Sequence, residues 1–369
     1  MPTPFVTAAI VHQDRLQGCR ATAIRRLSSG SATSALAALV WFAAAPPAAA
    51  QTIQPQGQVA SALAFTPRLN GSFVQPALID GWSNSSLNAE LSMMKSLSVG
   101  QLVIQWTANT HDHQANGAKT TIYPTSLAGY TQTTKTDVVG RTQTAADAAG
   151  VEVYLGLQAN EDWWSKYASD ATWLNAEANA AVAIGQELWT KYGSHPSLKG
   201  WYLALESENA HFSDSTSQTN LINFYRTTTR ALHGLGSGLP VAIAPFYNAF
   251  SCNLPGWQCS NAWGASWAQI LYNVELDNPP TTPKPGIDIL ALQDGIGAGH
   301  ATLSDLPVWF SAVQNAIISA GAHTVLYADT ETYSYDLAGY IPVIGLIRIP
   351  RCPVGRIRHT SELSSRAPG

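Results

Sequence analysis

The stretch Leu198–Glu206 reads LKGWYLALE and is a nearly continuous apolar run that ends in a carboxylate. Such runs are typical of parallel strands that are buried on both faces. Six further runs of this kind alternate with helical patterns along the chain: Gly71–Gln75, Gln101–Trp106, Val151–Gln158, Pro240–Phe246, Ile287–Gln293 and His323–Glu331. Strand–helix alternation repeated seven times predicts an α/β fold, and with this many repeats a closed (β/α)8 TIM barrel is favoured over an open sheet.

The segments between these runs carry apolar residues at helical spacing. Clear patterns start near Leu87, Leu174, Leu221 and Val313, and Gly100, Gly193 and Gly321 stand where glycines commonly end helices. These patterns predict helices between the strands.

An eighth strand is not evident, because the composition changes abruptly near Leu337. Residues 337–369 hold five arginines, whereas residues 51–336 hold four. We therefore expect the eighth strand to be missing or replaced by an atypical Arg-rich tail at 337–369, from a truncation or a frame shift. Ile341–Ile349 is apolar enough to take the eighth position, although Pro342 and Gly345 argue against it.

Residues 1–50 read as a secretion signal peptide. A basic leader precedes the apolar stretch Ser34–Ala45, and Ala48–Ala50 supplies small residues suited to cleavage. The apolar stretch is too short to span a bilayer, so no stable membrane insertion is expected after cleavage. Arg25–Arg26 leaves twin-arginine export open beside the general route. We predict a secreted or periplasmic protein with a linker at 51–69 and one barrel domain at 70–336.

Cys252 and Cys259 bracket a short loop, and in an oxidising compartment they are expected to form a disulfide. A redox or metal pair is the weaker alternative, since the spacing is not C-x-x-C. His111-Asp112-His113 raises the possibility of a metal site, but the three residues are adjacent in a predicted loop, so no metal ion is expected. No cofactor is expected either, and we predict a monomer.

The charge of the predicted mature body argues against nucleic acid as a partner. Residues 51–336 carry 11 Lys and Arg against 22 Asp and Glu, so 11 − 22 = −11. An acidic surface repels phosphate backbones and anionic lipid. The chain also has twelve Trp, a residue type well suited to stacking on sugar rings. Carbohydrate is therefore the expected partner.

In a (β/α) barrel the active site forms at the carboxyl ends of the strands. Glu206 ends the fourth predicted strand and Glu331 the seventh. Two carboxyl groups flanking one bond are what glycoside cleavage requires, and the nearby Asp294 and Asp329 would raise the proton affinity of one partner. Glu208 competes with Glu206, because alternation points both the same way. The alternative reading is that these acids bind backbone amides.

Other residues at the strand ends fit a polar groove lined by aromatic rings. Rings that could stack on pyranoses are Trp82, Trp106, Trp163, Trp164 and Tyr247, and polar candidates for substrate binding are Gln75, Gln105, Glu208, Asn209, Gln293, Asp294, His300 and Asp329. Each of these aromatic residues alone also fits ordinary packing.

Seven motifs at these strand ends resemble those of a bacterial family of secreted barrels, the domain-of-unknown-function family numbered 4434, over residues 70 to 336. The motifs are Gly71–Gln75, Ile104–Trp106, Tyr154–Leu157 with Trp163–Trp164, Gly200–Glu206, Pro245–Tyr247, Ala291–Gly297 with His300–Thr302, and Asp329–Thr332. That family is similar to the large clan of retaining glycoside hydrolases, whose two glutamates follow strands four and seven. The resemblance implies that Glu206 is the acid/base and Glu331 the nucleophile. Leu205 stands where the clan usually has Asn.

Three functional hypotheses follow. The first is a retaining glycoside hydrolase acting on an extracellular polysaccharide or oligosaccharide. The second is a non-catalytic carbohydrate-binding barrel. The third is a defective gene product whose lost eighth strand leaves it poorly folded.

Overall fold

The computed structural model describes residues 70–210, 212–236, 238–276 and 283–331, together with the backbone of Ile344–Arg348. The predicted signal peptide and linker, and most of the predicted tail, lie outside these residues. The described strands, in chain order, are β1 Gly71–Val74, β2 Gln101–Ile104, β3 Ala108–Asp112, β4 Ala118–Thr121, β5 Tyr130–Gln132, β6 Glu152–Gly156, β7 Gln158–Ala159, β8 Leu198–Leu203, β9 Val241–Ile243, β10 Ile289–Gln293, β11 Val325–Glu331 and β12 Ile344–Arg348. The described α-helices are α1 Pro76–Asp80, α2 Asn84–Ser96, α3 Val138–Ala149, α4 Trp163–Lys166, α5 Ala171–Tyr192, α6 Ser215–His233, α7 Ser260–Glu275 and α8 Leu306–Ala320.

Eight strands close into a barrel in the order β1-β12-β11-β10-β9-β8-β6-β2, with β2 parallel to β1 at the seam. The predicted α/β barrel is therefore confirmed, and all seven predicted strands take part in it. All seven agree with the prediction within three residues at each end, and Leu198–Glu206 and Pro240–Phe246 are each shorter by three residues at the carboxyl end. Helix α2 ends at Ser96 rather than at Gly100, because Ser98 already adopts a positive φ of 64°.

The eighth position is filled by β12, which comes from the atypical tail. It runs antiparallel to both neighbours, with Gly71 opposite Leu346 and Glu331 opposite Ile344. The prediction that an atypical tail replaces the eighth strand is therefore confirmed, and the replacing strand is antiparallel to its neighbours. Pairing of this kind uses only backbone groups, and it covers the edges that β1 and β11 would otherwise expose. Gly345 lies within the ladder opposite Thr330, and Pro342 lies outside the described residues.

The barrel is filled by a small cluster of inward-facing side chains. They are Phe73, Val103, Tyr154, Tyr202, Ala242, Ala244 and Ala291, with Ala204, Ile289 and Tyr327 packed against them. The rings of Phe73 and Tyr202 meet edge to face at 5.3 Å. A Cβ on Gly200 would lie 2.1 Å from the Tyr154 ring, so only glycine fits there. The interior is therefore packed, and a ligand can be received only at an end of the barrel.

A second sheet, ordered β5-β4-β3-β7, follows the carboxyl ends of two barrel strands. Its strands β3 and β7 pair in parallel, with Ala108 opposite Gln158. The buried carboxylate of Glu177, on α5, accepts hydrogen bonds from the Thr110 hydroxyl at 2.7 Å and from Asn160 Nδ2 at 2.8 Å. This sheet was not predicted, and it forms part of the rim on the side where a barrel carries its active site.

A network of four titratable side chains joins the amino ends of β9, β10 and β11. Asp288 accepts from His233 Nε2 at 2.8 Å, from His323 Nε2 at 3.0 Å and from the Val241 N–H at 2.7 Å. The His323 ring also meets Glu275 at 2.8 Å through Nδ1. Hydrogen bonds to Asp288 and Glu275 raise the pKa of His323 to about 9, and Asp288 has a lowered pKa because both histidines and the Val241 amide bond to it, which outweighs its burial.

These shifts predict a stability maximum in mildly acidic solution. Raised histidine pKa values give stability that is complete below about pH 6.5 and is lost as the pH rises through about 9. The lowered pKa of Asp288 gives stability that is complete above about pH 4 and is lost in stronger acid. Because the His323 side chain is 45% exposed, we expect its alkaline loss to be only about 1 kcal/mol.

Thermal unfolding from pH 5 to 10 measures this dependence. His323→Gln is expected to flatten the alkaline fall in melting temperature, since the group that titrates there is gone. His195→Gln is the matched control, because His195 forms a similar pair with Asp147 at 2.6 Å elsewhere on the barrel. An alkaline fall that is unchanged in His323→Gln would contradict the assignment.

Candidate active site

Glu206 and Glu331 lie on the inward face at the carboxyl end of the barrel. Along β11 the interior residue Tyr327 is followed at two-residue intervals by Asp329 and Glu331, which are 5% and 6% exposed. Past β8, Ala204 still packs against the interior cluster, and Glu206 comes two residues later. Since side chains alternate between the faces of a strand, both glutamates are directed to the mouth above the packed interior.

Backbone amides and Asp294 hold Glu331 in place. Its Oε2 accepts from the Ala298 N–H at 2.7 Å, and its own N–H approaches Asp294 Oδ1 at 3.4 Å. The N–H of Asp294 in turn donates to the Asp329 carbonyl at 2.9 Å. The loop after β10 and the end of β11 are thus joined directly around the Glu331 carboxylate.

Asp329 is the group whose proton affinity the cluster raises. Burial, and then the charges of Glu331, Asp294 and Glu206, raise the pKa of Asp329 well above its ordinary value. Its Oδ1 has no hydrogen-bond partner among the described residues. The neutral form of Asp329 is therefore favoured, and the carboxylates of Glu206 and Glu331 both act on it, although they belong to different strands.

The acids of this cluster also affect Tyr202, at the top of the barrel interior. Burial, followed by the charges of Glu206 and Asp329, raises the pKa of Tyr202 well above its ordinary value. The Tyr202 hydroxyl therefore keeps its proton beneath the carboxylates. This supports the convergence of acids from β8 and β11 on one site.

Trp163 positions the backbone of Glu206. The indole is 2% exposed, and its Nε1 donates to the Glu206 carbonyl at 2.8 Å. The ring packs edge to face on Tyr167 at 5.7 Å. The structure thus places this predicted sugar platform beneath the surface, where it fixes the loop that carries Glu206.

Three aromatic rings form a row between the loops that follow β7, β9 and β10. Half-buried Trp164 lies 6.2 Å from the Phe246 ring, and the half-buried His300 ring stacks on Phe246 at 5.6 Å. Phe246 was not among the predicted site residues. Its place could have been found from alternation, because Ala242 and Ala244 point inward and Phe246 follows in the same series.

Tyr247 and Asn209 do not line the groove as predicted. The Tyr247 ring is fully buried and stacks on Trp309 at 4.4 Å, on the side of the strand that faces the helices. Asn209 is also fully buried, and its side-chain amide bonds to the backbone of Asn248 and Gln258. The Asn209 amide therefore anchors two loops, and the Tyr247 ring packs against the helix layer.

The remaining predicted residues have mixed environments. Gln293 donates from Nε2 to the Ala244 carbonyl at 2.8 Å, whereas Gln105 has an Oε1 with no partner among the described residues. Gln75 takes the N-cap position of α1 without a side-chain bond in that role. Trp82 and Trp106 are half-buried, and Glu208 is buried at 7% exposure. Gln75, Gln105 and Gln293 share the inward face with the two glutamates.

The predicted disulfide joins Cys252 to Cys259, whose Cα atoms are 4.5 Å apart. The segment that precedes this loop is tied to the neighbouring rim, because the Ala249 N–H donates to the His300 carbonyl at 2.8 Å. Closing a loop of this size is worth about 2.5 kcal/mol in the chain-entropy description.

We therefore expect Cys252→Ser with Cys259→Ser to lower the free energy of unfolding by about 2 kcal/mol. Chemical denaturation under non-reducing conditions measures this loss. Adding a reductant should destabilise the wild type to the same level and leave the double variant unaffected. A reductant effect of equal size in both proteins would contradict this expectation.

His111 and His113 are not held in a loop, contrary to the sequence expectation. His111 lies on β3, and His113 starts a 3-10 helix at His113–Ala115. Both rings face Asp162, which directly precedes α4. Strand β3 and the 3-10 helix, which the sequence pattern did not predict, therefore direct both imidazole rings toward the Asp162 carboxylate.

No helix in the part of the chain that the structure describes is long and apolar enough to cross a membrane. Among solved structures, a putative α-L-fucosidase from Bacteroides thetaiotaomicron is similar, with a TM-score of 0.57 at 17% identity over 75% of this chain and 80% of that one. An intracellular xylanase from Thermoanaerobacterium saccharolyticum matches with a TM-score of 0.41 at 13% identity, over 72% and 74% of the two chains. At 17% identity, the similarity to the fucosidase structure shows only that the two chains share a fold. No curated protein matches.

The family comparison covers most of the chain. The family model described as "Domain of unknown function (DUF4434)" matches residues 69–358, which include every described strand of the barrel. The match thus spans both Glu206 and Glu331. The chain belongs to the DUF4434 family.

Proposed function

We propose that this protein is a retaining glycoside hydrolase that acts on an extracellular polysaccharide or oligosaccharide. The observation that carries the proposal is the convergence of Glu206, from the end of β8, with Glu331, from the end of β11, around the buried Asp329. Two carboxyl groups on opposite sides of a glycosidic bond are the chemical requirement of this reaction.

In the first step Glu206 donates a proton to the leaving oxygen while the Glu331 carboxylate attacks the anomeric carbon. In the second step Glu206 takes a proton from a water molecule whose oxygen bonds to the anomeric carbon, and the bond between that carbon and the Glu331 carboxylate breaks. The Ala298 amide supports Glu331 in this role, because its N–H holds one carboxylate oxygen at 2.7 Å. Trp163 supports Glu206 by holding its backbone.

Asp329 contributes as a neutral neighbour. A negative charge on Asp329 would raise the pKa of Glu331 and so favour protonation of the nucleophile. Burial is the largest cause of the raised pKa of Asp329, and the neutral carboxyl group that it favours is able to donate a hydrogen bond. Half-buried Trp164 and His300 are proposed to contact sugar, with Gln75, Gln105 and Gln293 as partners for hydroxyl groups.

The proposed location is outside the cytoplasm, after removal of residues 1–50. The Cys252–Cys259 disulfide supports this, because disulfides persist in oxidising compartments. The acidic body supports a carbohydrate partner rather than a polyanion.

The experiment is to incubate the full chain with a panel of aryl α- and β-glycosides and to follow the first-formed sugar by NMR. We expect turnover of at least one glycoside with retained anomeric configuration. First-formed product of inverted configuration would contradict the two-step mechanism. Saturable glycan binding with no turnover of any glycoside would replace the hydrolase with a carbohydrate-binding barrel.

A further inference from the structure

A cluster of two histidines and two acids lies on the rim, apart from the four carboxyl groups of the proposed site. The Asp162 carboxylate meets His111 Nδ1 at 2.9 Å through Oδ2 and His113 Nε2 at 3.2 Å through Oδ1. The two rings are set edge to face, with centroids 5.1 Å apart. One ligand atom from each of the three residues lies within 4.8 Å of the others, so a single small cation placed among them could contact all three.

Glu161 holds the His113 ring in the orientation that a metal ligand needs. Its Oε2 lies 3.0 Å from His113 Nδ1 and accepts from the His113 backbone N–H at 2.6 Å. A neutral imidazole has one N–H, and with that hydrogen given to Glu161 the Nε2 atom presents a lone pair toward Asp162. Histidines that bind metals commonly donate their second nitrogen to a carboxylate in this way.

With a neutral His113 in this tautomer, two electron pairs face one another unless a cation lies among them, whereas a protonated His113 would donate to both carboxylates. His113 Nε2 and Asp162 Oδ1, 3.2 Å apart, are both acceptors in that tautomer. The backbone around them is fixed by elements on both sides. Asp112 caps the 3-10 helix through the Gln114 and Ala115 amides, and Asn160 Oδ1 accepts from the Asp162 N–H at 2.9 Å. The ligand atoms are thus brought together by the fold rather than by flexible loops.

We propose that His111, His113 and Asp162 bind a divalent transition-metal ion, with Zn²⁺ as the best match, and that Glu161 is the residue that orients His113. Two imidazoles and one carboxylate form a ligand set that suits zinc, with water completing the tetrahedron. The ion ties β3 to the segment that leads into α4, which carries Trp163 and Trp164. Its role is structural, and the proposal is independent of the hydrolase chemistry.

Lys166 allows a second test of the metal site, because it places a positive charge next to the Asp162 carboxylate. Its Nζ lies 3.5 Å from Asp162 Oδ2. A bound dication would be repelled by this ammonium group, so the lysine lowers the affinity of the site. Removing its charge should therefore strengthen binding, which a merely adventitious surface histidine would not show.

The experiment uses the full chain, prepared without a histidine tag and stripped with a chelator, and titrates it with Zn²⁺ by calorimetry and with Co²⁺ by visible absorption. We expect one ion per chain and a Co²⁺ spectrum with intense bands of four-coordinate geometry. His113→Ala and Asp162→Asn should each lower the affinity about tenfold or more, and Glu161→Gln should lower it about tenfold. Lys166→Met should raise it.

The control is His195→Asn, which removes a histidine paired with a single aspartate and should leave Zn²⁺ affinity unchanged. His113 and His111 have 56% and 38% exposed side chains, so their substitution should leave the fold intact, and circular dichroism checks this. Zn²⁺ should also raise the melting temperature of the wild type but not of His113→Ala. Absence of saturable binding, or equal affinity in the wild type and His113→Ala, would overturn the proposal and leave ion pairs as the whole account of the cluster.

Discussion

Glu331→Gln is expected to lower kcat/KM for any glycoside that the wild type cleaves by at least about 10³-fold, which corresponds to about 4 kcal/mol of lost transition-state stabilisation. An amide of the same shape can still accept from the Ala298 N–H, so the loop after β10 keeps its anchor. It cannot form the bond to the anomeric carbon, because it lacks the negative charge of a carboxylate nucleophile. Binding of the substrate should persist.

Glu152→Gln is the matched control for this loss. Glu152 starts β6 at the opposite end of the barrel, is exposed, and accepts from Gln101 Nε2 at 2.9 Å. Its substitution should leave turnover unchanged. Retention of more than about a tenth of the wild-type kcat/KM in Glu331→Gln would contradict the assignment of the nucleophile.

Glu206→Gln is expected to produce a loss that depends on the leaving group. For an alkyl aglycone, which departs poorly without a proton, we expect kcat/KM to fall by about 10²- to 10⁴-fold. For a nitrophenyl aglycone the first step needs little acid assistance, so its kcat/KM should fall far less. In that case the glycosyl-enzyme accumulates, since its hydrolysis still needs the base, and a burst of nitrophenol should precede slow turnover.

The comparison also separates Glu206 from Glu208, which lies two residues further on and is buried at 7% exposure. If the dependence on the leaving group appears in Glu208→Gln and not in Glu206→Gln, the acid/base role passes to Glu208. If neither variant shows this dependence on the leaving group, neither Glu206 nor Glu208 is the acid/base of the two-step mechanism.

Much of the barrel could be predicted because its strands are apolar on both faces. The runs at Leu198–Glu206 and His323–Glu331 stand out without any periodicity, and in the structure Glu331 ends β11 while Glu206 follows β8 by three residues. The second sheet could not be seen in the same way. Its strands AKTT and YTQ, at Ala118–Thr121 and Tyr130–Gln132, are short and polar, so they carry neither an apolar run nor a clear alternation of apolar and polar residues.

Two of the longer helices, α3 and α7, also escaped prediction. The buried face of α3 includes Thr142, Gln143 and Ala146, so it carries few large apolar side chains, whereas α7 carries buried Trp263, Trp267 and Ile270 at a spacing that indicates a helix. The eighth strand lies within the apolar run Ile341–Ile349, where Pro342 and Gly345 weakened the sequence pattern, and it is held by backbone pairing with β1 and β11.

The site residues show how a one-residue shift changes a role. Phe246 and Tyr247 are neighbours on one strand extension, and alternation sends the first inward and the second to the helix layer. Asn209 looked like a partner for sugar hydroxyls, but its amide is used by the backbone of two loops. These hydrogen bonds join segments that are far apart in the sequence, so a motif at a strand end does not reveal them.

Trapping of the covalent intermediate tests the central claim most directly. The full chain is treated with activated 2-deoxy-2-fluoro glycosides of the sugars that it cleaves, digested, and analysed by tandem mass spectrometry. We expect one sugar per chain, attached to the Glu331 carboxylate, with no label in Glu331→Gln. A label on another side chain, or full turnover without any covalent intermediate, would contradict it.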